Sequence, residues 1–171
     1  EHLRSTLMGH GKTVSRVYTT DAGINPKKFD DGSDLPAALK KPTFAWNGTG
    51  TDVENQVNAG RFLVMHRDHG GPTSVSHPYM DGTTVTHLTN STLLPVFFSV
   101  NCASGTYDNP GTPSFDEQWL RRAGGGAVGV VGDSRNSPTE VNNRMALGMF
   151  DAIWPDTFPG SGSSPSVKAM G

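Results

Sequence analysis

Two apolar runs of strand length each stop at a reactive side chain, and this limits what the chain can be. The first, Phe62-Leu-Val-Met-His66, leads through Arg67 and Asp68 to His69 and the pair Gly70-Gly71. The second, Leu93-Leu-Pro-Val-Phe-Phe-Ser-Val100, leads through Asn101 to Cys102 and then to Ala103-Ser104-Gly105. Near-continuous apolar runs are expected of strands buried on both faces, as in a parallel sheet covered by helices. Functional side chains in such sheets gather at the carboxyl ends of the strands. Two neighbouring parallel strands would therefore carry an imidazole and a thiol to one rim.

The rest of the chain alternates in the same way. Leu3 and Leu7 fit the end of a helix, and Val14 to Thr20 alternates like a strand. Asp21 to Lys28 is a loop interrupted by Pro26, and Leu35 to Leu39 fits one helical turn. Thr51 or Asp52 can cap a helix through Val53 and Val57 that stops at Gly60. Gly70 to Asp81 is expected to be a long loop, and Val85 to Leu88 a brief helical or extended piece. Ser114 followed by Glu117 has capping-box spacing, ahead of a helix with Phe115, Trp119 and Leu120 on one side. Ala127 to Val131 is a strand of small residues leading to the loop Asp133–Pro138, and a last helix runs from Thr139 to Trp154. Strands alternating with helices predict an α/β fold with a mostly parallel sheet. Residues 1–155 form one domain on this reading, and the Pro/Gly/Ser-rich residues 156–171 a tail or linker.

With 171 residues the chain can bury a sizeable single core. Its net charge of −2 comes without a basic block, which argues against a nucleic-acid partner. No apolar run approaches the roughly 18 to 20 residues of a membrane span. The lone cysteine cannot form an internal disulfide. A first residue that is Glu, without a signal sequence behind it, reads as a piece of a longer protein carrying other domains. Asn47-Gly-Thr and Asn90-Ser-Thr fit the glycosylation pattern, which short sequences match by chance.

An ordinary thiol, with a pKa near ~8.5, is mostly protonated at neutral pH. An imidazole that takes its proton makes it a nucleophile. Glycines beside both groups let backbone N–H donors approach a substrate, and one donor to an oxyanion is worth roughly 3 kcal/mol of barrier. Against this stands an inert core cysteine, the commoner fate of a thiol after an apolar strand. A metal hydrolase using His66 and His69, with Asp68 between them, is a further alternative, and no third ligand is marked out. His77 and His87 lie in polar sequence and read as surface residues.

At His69-Gly70 and Cys102 the chain resembles the gingipain-type cysteine peptidases of the caspase–legumain–gingipain group. The resemblance extends through Thr83 to Phe98, through Ser114-Phe-Asp-Glu-Gln-Trp-Leu120 and through Gly126-Ala-Val-Gly-Val-Val-Gly132. Asp21-Ala-Gly-Ile-Asn-Pro-Lys27 is a weaker echo, and the whole covers roughly residues 14–155. It implies a caspase-like three-layer fold, with a mostly parallel sheet flanked by helices. It also implies a cysteine endopeptidase acting on peptide or protein substrates, secreted or at the cell surface. No cofactor is required, although structural calcium occurs in some relatives. On this pattern Cys102 is the nucleophile, His69 the acid and base, and the Gly70 and Cys102 amides the oxyanion donors. Asp133 and Ser134 would wall the substrate pocket, with Asp68 and Val75 at its edge. Asp68 stands where the family tends to have Gly, and Val75 where it has an aromatic residue. These two departures support the alternative, a catalytically inactive caspase-like binding module.

Overall fold

The computed structural model describes residues 1–29, 31–155 and 158. In chain order they form helix α1 (His2–Gly9), a 3-10 turn (Ala37–Leu39), α2 (Gly50–Asn58) and strand β1 (Leu63–Arg67). Three two-residue strands follow, β2 (Gly70–Gly71), β3 (Ser74–Val75) and β4 (Met80–Asp81). Then come α3 (Gly82–Thr86), β5 (Val96–Val100), α4 (Phe115–Arg121), β6 (Gly129–Gly132) and α5 (Thr139–Ile153).

The main sheet is parallel, in the order β1-β5-β6, with β5 between its neighbours. Both faces of β5 are sealed, and Phe97, Phe98 and Val100 are fully buried. Alternate side chains go to opposite layers. Phe97, with Val64 of β1 and Val130 of β6, packs under Val57 of α2, Val85 of α3 and Phe115 and Trp119 of α4. Phe98 and Val100 pack under Leu7 of α1 and Ala146 and Phe150 of α5. This is the expected α/β architecture, a parallel sheet between two helical layers. Trp119 stacks on Phe97 with ring centroids 4.4 Å apart, and Phe115 meets both rings edge-on.

Local chemistry sets the helix starts. Ser114 caps α4 by accepting from the Glu117 amide, while the Glu117 carboxylate accepts from the Ser114 amide at 2.8 Å. The cap of α2 is Thr49, not Thr51 or Asp52. Asp52 is its partner, accepting from the Thr49 amide at 2.9 Å. Gly50, the first helical residue, lies against residue 79, where a Cβ would come within 2.7 Å of the Tyr79 carbonyl.

Three expectations are corrected. Val14 to Thr20 forms no strand, and only Thr19 bridges, to Asn47. The Gly70–Asp81 segment is a small antiparallel sheet, β2-β3-β4, not a loop. Leu120 is exposed, because consecutive helical residues point about 100° apart and Trp119 takes the core side. Asn90 is buried, with its amide bonded to Leu93 and Gly126, so it is a structural clamp rather than a glycan acceptor. The expected tail, 156–171, lies outside the described residues apart from Phe158, which packs beside Phe150.

Candidate active site

The two strand ends meet on one rim. Strand β1 pairs with β5 up to Arg67 and Val100, and His69 and Cys102 each follow two residues past these strand ends. The contact there is close. A Cβ built on Gly70 would lie 2.0 Å from Asn101 Oδ1 and 2.8 Å from the Cys102 carbonyl oxygen. Only a residue without a side chain fits between these strand ends. Gly70 sits opposite Val75, and the Ser76 amide donates to the His69 carbonyl at 3.0 Å. This is a non-hydrogen-bonded position of the antiparallel ladder, so the Gly70 N–H points away from β3.

His69 itself is exposed. Its amide donates to the Asp68 carboxylate at 2.7 Å, and the same carboxylate oxygen accepts from His77 Nδ1 at 3.0 Å. His77 Nε2 reaches Asp21 at 2.9 Å. His77 is therefore half-buried between two carboxylates rather than a plain surface residue. Its hydrogen bonds to Asp21 first and Asp68 second hold its imidazole above the usual range. His87 is exposed and pairs with Glu54.

Cys102 follows β5 in a turn that closes on the loop after β6. Ala103 adopts a left-handed φ of 56°, and its amide donates to the Arg135 carbonyl at 3.1 Å. The Gly105 amide donates to the Asp133 carbonyl at 3.0 Å. The thiol is half-buried, 3.6 Å from the Ser137 carbonyl. Ser137 Oγ bonds the Asp133 carboxylate and the Asn101 carbonyl. Asp133 and Ser134 therefore frame the thiol turn, but the Asp133 carboxylate is engaged by Ser137. Val75, expected at the pocket edge, is 1% exposed and belongs to the core with Met80 and Phe97. It is the inward residue of a two-residue strand.

Beneath the rim lies a buried polar chain that sequence reasoning missed. His66 Nε2 donates to the Ser76 carbonyl at 2.7 Å, and a carbonyl can only accept. His66 Nδ1 is thus an acceptor, and Asn101 Nδ2 donates to it at 3.2 Å. Asn101 Nδ2 also donates to Ser99 Oγ at 2.9 Å, and Ser99 Oγ lies 2.8 Å from Ser104 Oγ. Ser104 Oγ donates to Asp116 Oδ2 at 3.1 Å. Burial pushes His66 below the ordinary imidazole range, against the hydrogen bond to Ser76. Burial likewise raises Asp116 to about 6; the Ser99 and Ser104 hydroxyls oppose this and the Asp133 charge adds to it. With both its ring nitrogens on protein partners, His66 cannot join His69 as a metal ligand, which removes the metal-hydrolase reading. No group of three or more His, Cys, Asp or Glu suited to a metal ion occurs among the described residues.

Comparison with known proteins adds the family. The family model of peptidase family C25 matches residues 4–168. The complex of the pro- and mature domains of RgpB from Porphyromonas gingivalis is similar, at 25% identity and a TM-score of 0.58, over 68% of this chain and 27% of that one. The crystal structure of the Arg-specific cysteine proteinase gingipain R (RgpB) is similar at 27% identity and a TM-score of 0.58, over 61% of this chain and 25% of that one. The chain thus spans about a quarter of the length of these solved relatives. No curated protein matches it. The chain, on the caspase-like α/β fold of the gingipains, belongs to peptidase family C25.

Proposed function

We propose that the protein carrying this chain is a cysteine endopeptidase working through Cys102 and His69. The observation that carries the reading is the fit of Gly70 against Asn101 and Cys102, which sets the two strand ends side by side on one open rim. His69 takes the thiol proton, and the Cys102 thiolate attacks the scissile carbonyl carbon. The carbonyl oxygen gains the charge and receives the Gly70 and Cys102 N–H groups. The C–N bond then breaks as His69 protonates the departing amine, leaving a thioester on Cys102. Water, deprotonated by His69, cleaves the thioester and restores the thiol. No cofactor enters these steps.

Asp68, beside His69 and partly exposed, favours a basic residue before the cleaved bond, with Asp133 and Ser134 on the thiol side of the pocket. A secreted or cell-surface location, with other domains of the same parent chain, accompanies this reading.

A peptide-library digest with wild type beside Cys102→Ala tests activity, nucleophile and preference together. Cleavage abolished by the substitution is the expected result. Equal cleavage by both proteins would overturn the assignment. Equal turnover of basic and acidic reporter peptides would remove the basic preference alone. The competing binding module predicts no cleavage by either protein, and labelling of Cys102 by a peptidyl electrophile no faster than in denatured chain.

A further inference from the structure

Asn101 directly precedes Cys102 and packs against Gly70, the residue after His69. It is fully buried. Its Nδ2 has two hydrogens and two acceptors, His66 Nδ1 at 3.2 Å and Ser99 Oγ at 2.9 Å. Its Oδ1 has no hydrogen-bond partner among the described residues and faces the Gly70 Cα, where a Cβ would come within 2.0 Å. Its carbonyl accepts from Ser137 Oγ at 3.2 Å. An amide left with an unpaired oxygen is costly, so its place in the fold calls for a reason. That position is a wedge. One side of it abuts the backbone after His69, and the other is continuous with Cys102.

We infer that Asn101 is a positioning residue that sets the separation of the His69 imidazole and the Cys102 thiol, and that His66 acts through it as the acceptor fixing its amide. This rests on the Cys102/His69 reading above. The tautomer of His66 gives the inference its direction. With Nε2–H committed to the Ser76 carbonyl, Nδ1 is the only lone pair on His66 that can hold the Asn101 amide. The titratable and charged groups nearest His66 are Asp68, Arg67 and His77. Arg67 ends β1, Asp68 lies in the link from β1 to β2 and His77 between β3 and β4, and none takes the Asn101 amide. The remaining members of the chain, Ser99, Ser104 and Asp116, fix the other amide hydrogen and the far side of the thiol turn.

Two substitutions at His66 separate positioning from bulk structure. The amide of Asn overlays imidazole Nδ1, and the amide of Gln overlays Nε2. His66→Asn therefore keeps an acceptor for Asn101 and drops the Ser76 contact. His66→Gln keeps the Ser76 contact and drops the acceptor. The readout is alkylation of Cys102 by iodoacetamide, which is unambiguous because the chain has one cysteine. Below the ordinary thiol range the rate reports the thiolate that a paired imidazole supplies, and above it every exposed thiol is ionised. His66→Gln is expected to slow alkylation about tenfold at pH 6.5 and to leave it within about twofold of wild type at pH 9. His66→Asn should stay within about twofold at both. Asn101→Ala should match His66→Gln.

Equal slowing by the Asn and Gln variants, or slowing that is the same at both pH values, would overturn the inference, since either marks a structural or accessibility effect. His69→Ala serves as the reference for the dyad. If it leaves the pH 6.5 rate unchanged, the Cys102/His69 reading fails and the wedge with it. If it slows the rate while His66→Gln does not, the wedge alone fails.

Discussion

Gly70→Ala puts the geometry of the rim to a direct test, because it adds one methyl group and keeps the backbone N–H. The new Cβ would lie 2.0 Å from Asn101 Oδ1, 2.6 Å from Asn101 Cγ and 2.8 Å from the Cys102 carbonyl oxygen. Side-chain carbons do not sit closer than about 3 Å to such atoms, so a gap of about 1 Å must open. Asn101 cannot rotate aside without breaking its bonds to His66 and Ser99. The Cys102 oxygen is backbone and cannot yield cheaply. The strain must therefore separate the end of β1 from the turn after β5. Overpacking of this kind costs about 1–3 kcal/mol. A displacement of about 1 Å between reacting groups costs on the order of 100-fold in rate. Urea unfolding measures the first figure, and kcat/KM on a peptide substrate of the full-length protein measures the second. Gly70→Ala in an Asn101→Ala background supplies a cycle. With two of the three close contacts gone, its stability cost should shrink by about 1 kcal/mol or more, within the range of directly touching pairs. An unchanged unfolding midpoint and unchanged kcat/KM in Gly70→Ala would refute the reasoning, as would strict additivity with Asn101→Ala.

Asp116 and His66, two of the buried titratable groups, give opposite pH dependences. Asp116 is raised to about 6 from 3.8, so the folded state holds its proton more tightly; the penalty for ionising it grows between about pH 4 and 6 and stays complete above. Asp116→Asn should therefore gain up to about 3 kcal/mol over wild type at pH 8 and little at pH 4, measured by urea unfolding at both. His66 is depressed below 6.5, so its contribution is complete above that value and is lost as pH falls through it. His66→Asn should flatten the fall in stability on acidification below about pH 6.5, and an unchanged slope would show that His66 does not titrate there.

Much of the layering was legible in the sequence. The runs ending at Val100 and near His66 are β5 and β1, and Ser114 with Glu117 is the cap of α4. Burial on both faces leaves a continuous apolar run that needs no partner to be recognised. The Val14–Thr20 segment failed for the converse reason. Its alternation fits a strand, but a strand requires a neighbour, and only Thr19 finds one. The β2-β3-β4 sheet was hidden because its strands have two residues each, too short to show any period. Val75 was misplaced by the same fault, since its inward direction follows from a pairing with Gly70 and Met80 that local sequence does not announce.

The polar chain under the rim did leave a signal, though only in two strands read together. Along one face of β5 the residues run Phe97, Ser99 and then Asn101; along the facing side of β1 they run Val64, His66 and then Asp68. Each series starts apolar and turns polar toward the carboxyl end. The register pairs Val64 with Phe97 and His66 with Ser99, so both strands change character at one level of the sheet. A single strand with a buried Ser or His reads as a core that tolerates a satisfied polar group. Two parallel neighbours switching at the same level mark the depth at which packing gives way to a site. Phe97 below this level holds the α4 layer, and Ser99 and Asn101 above it reach Ser104, Asp116 and His66. The periodicity that builds the sheet thus also sets how far beneath the rim the machinery around Cys102 begins.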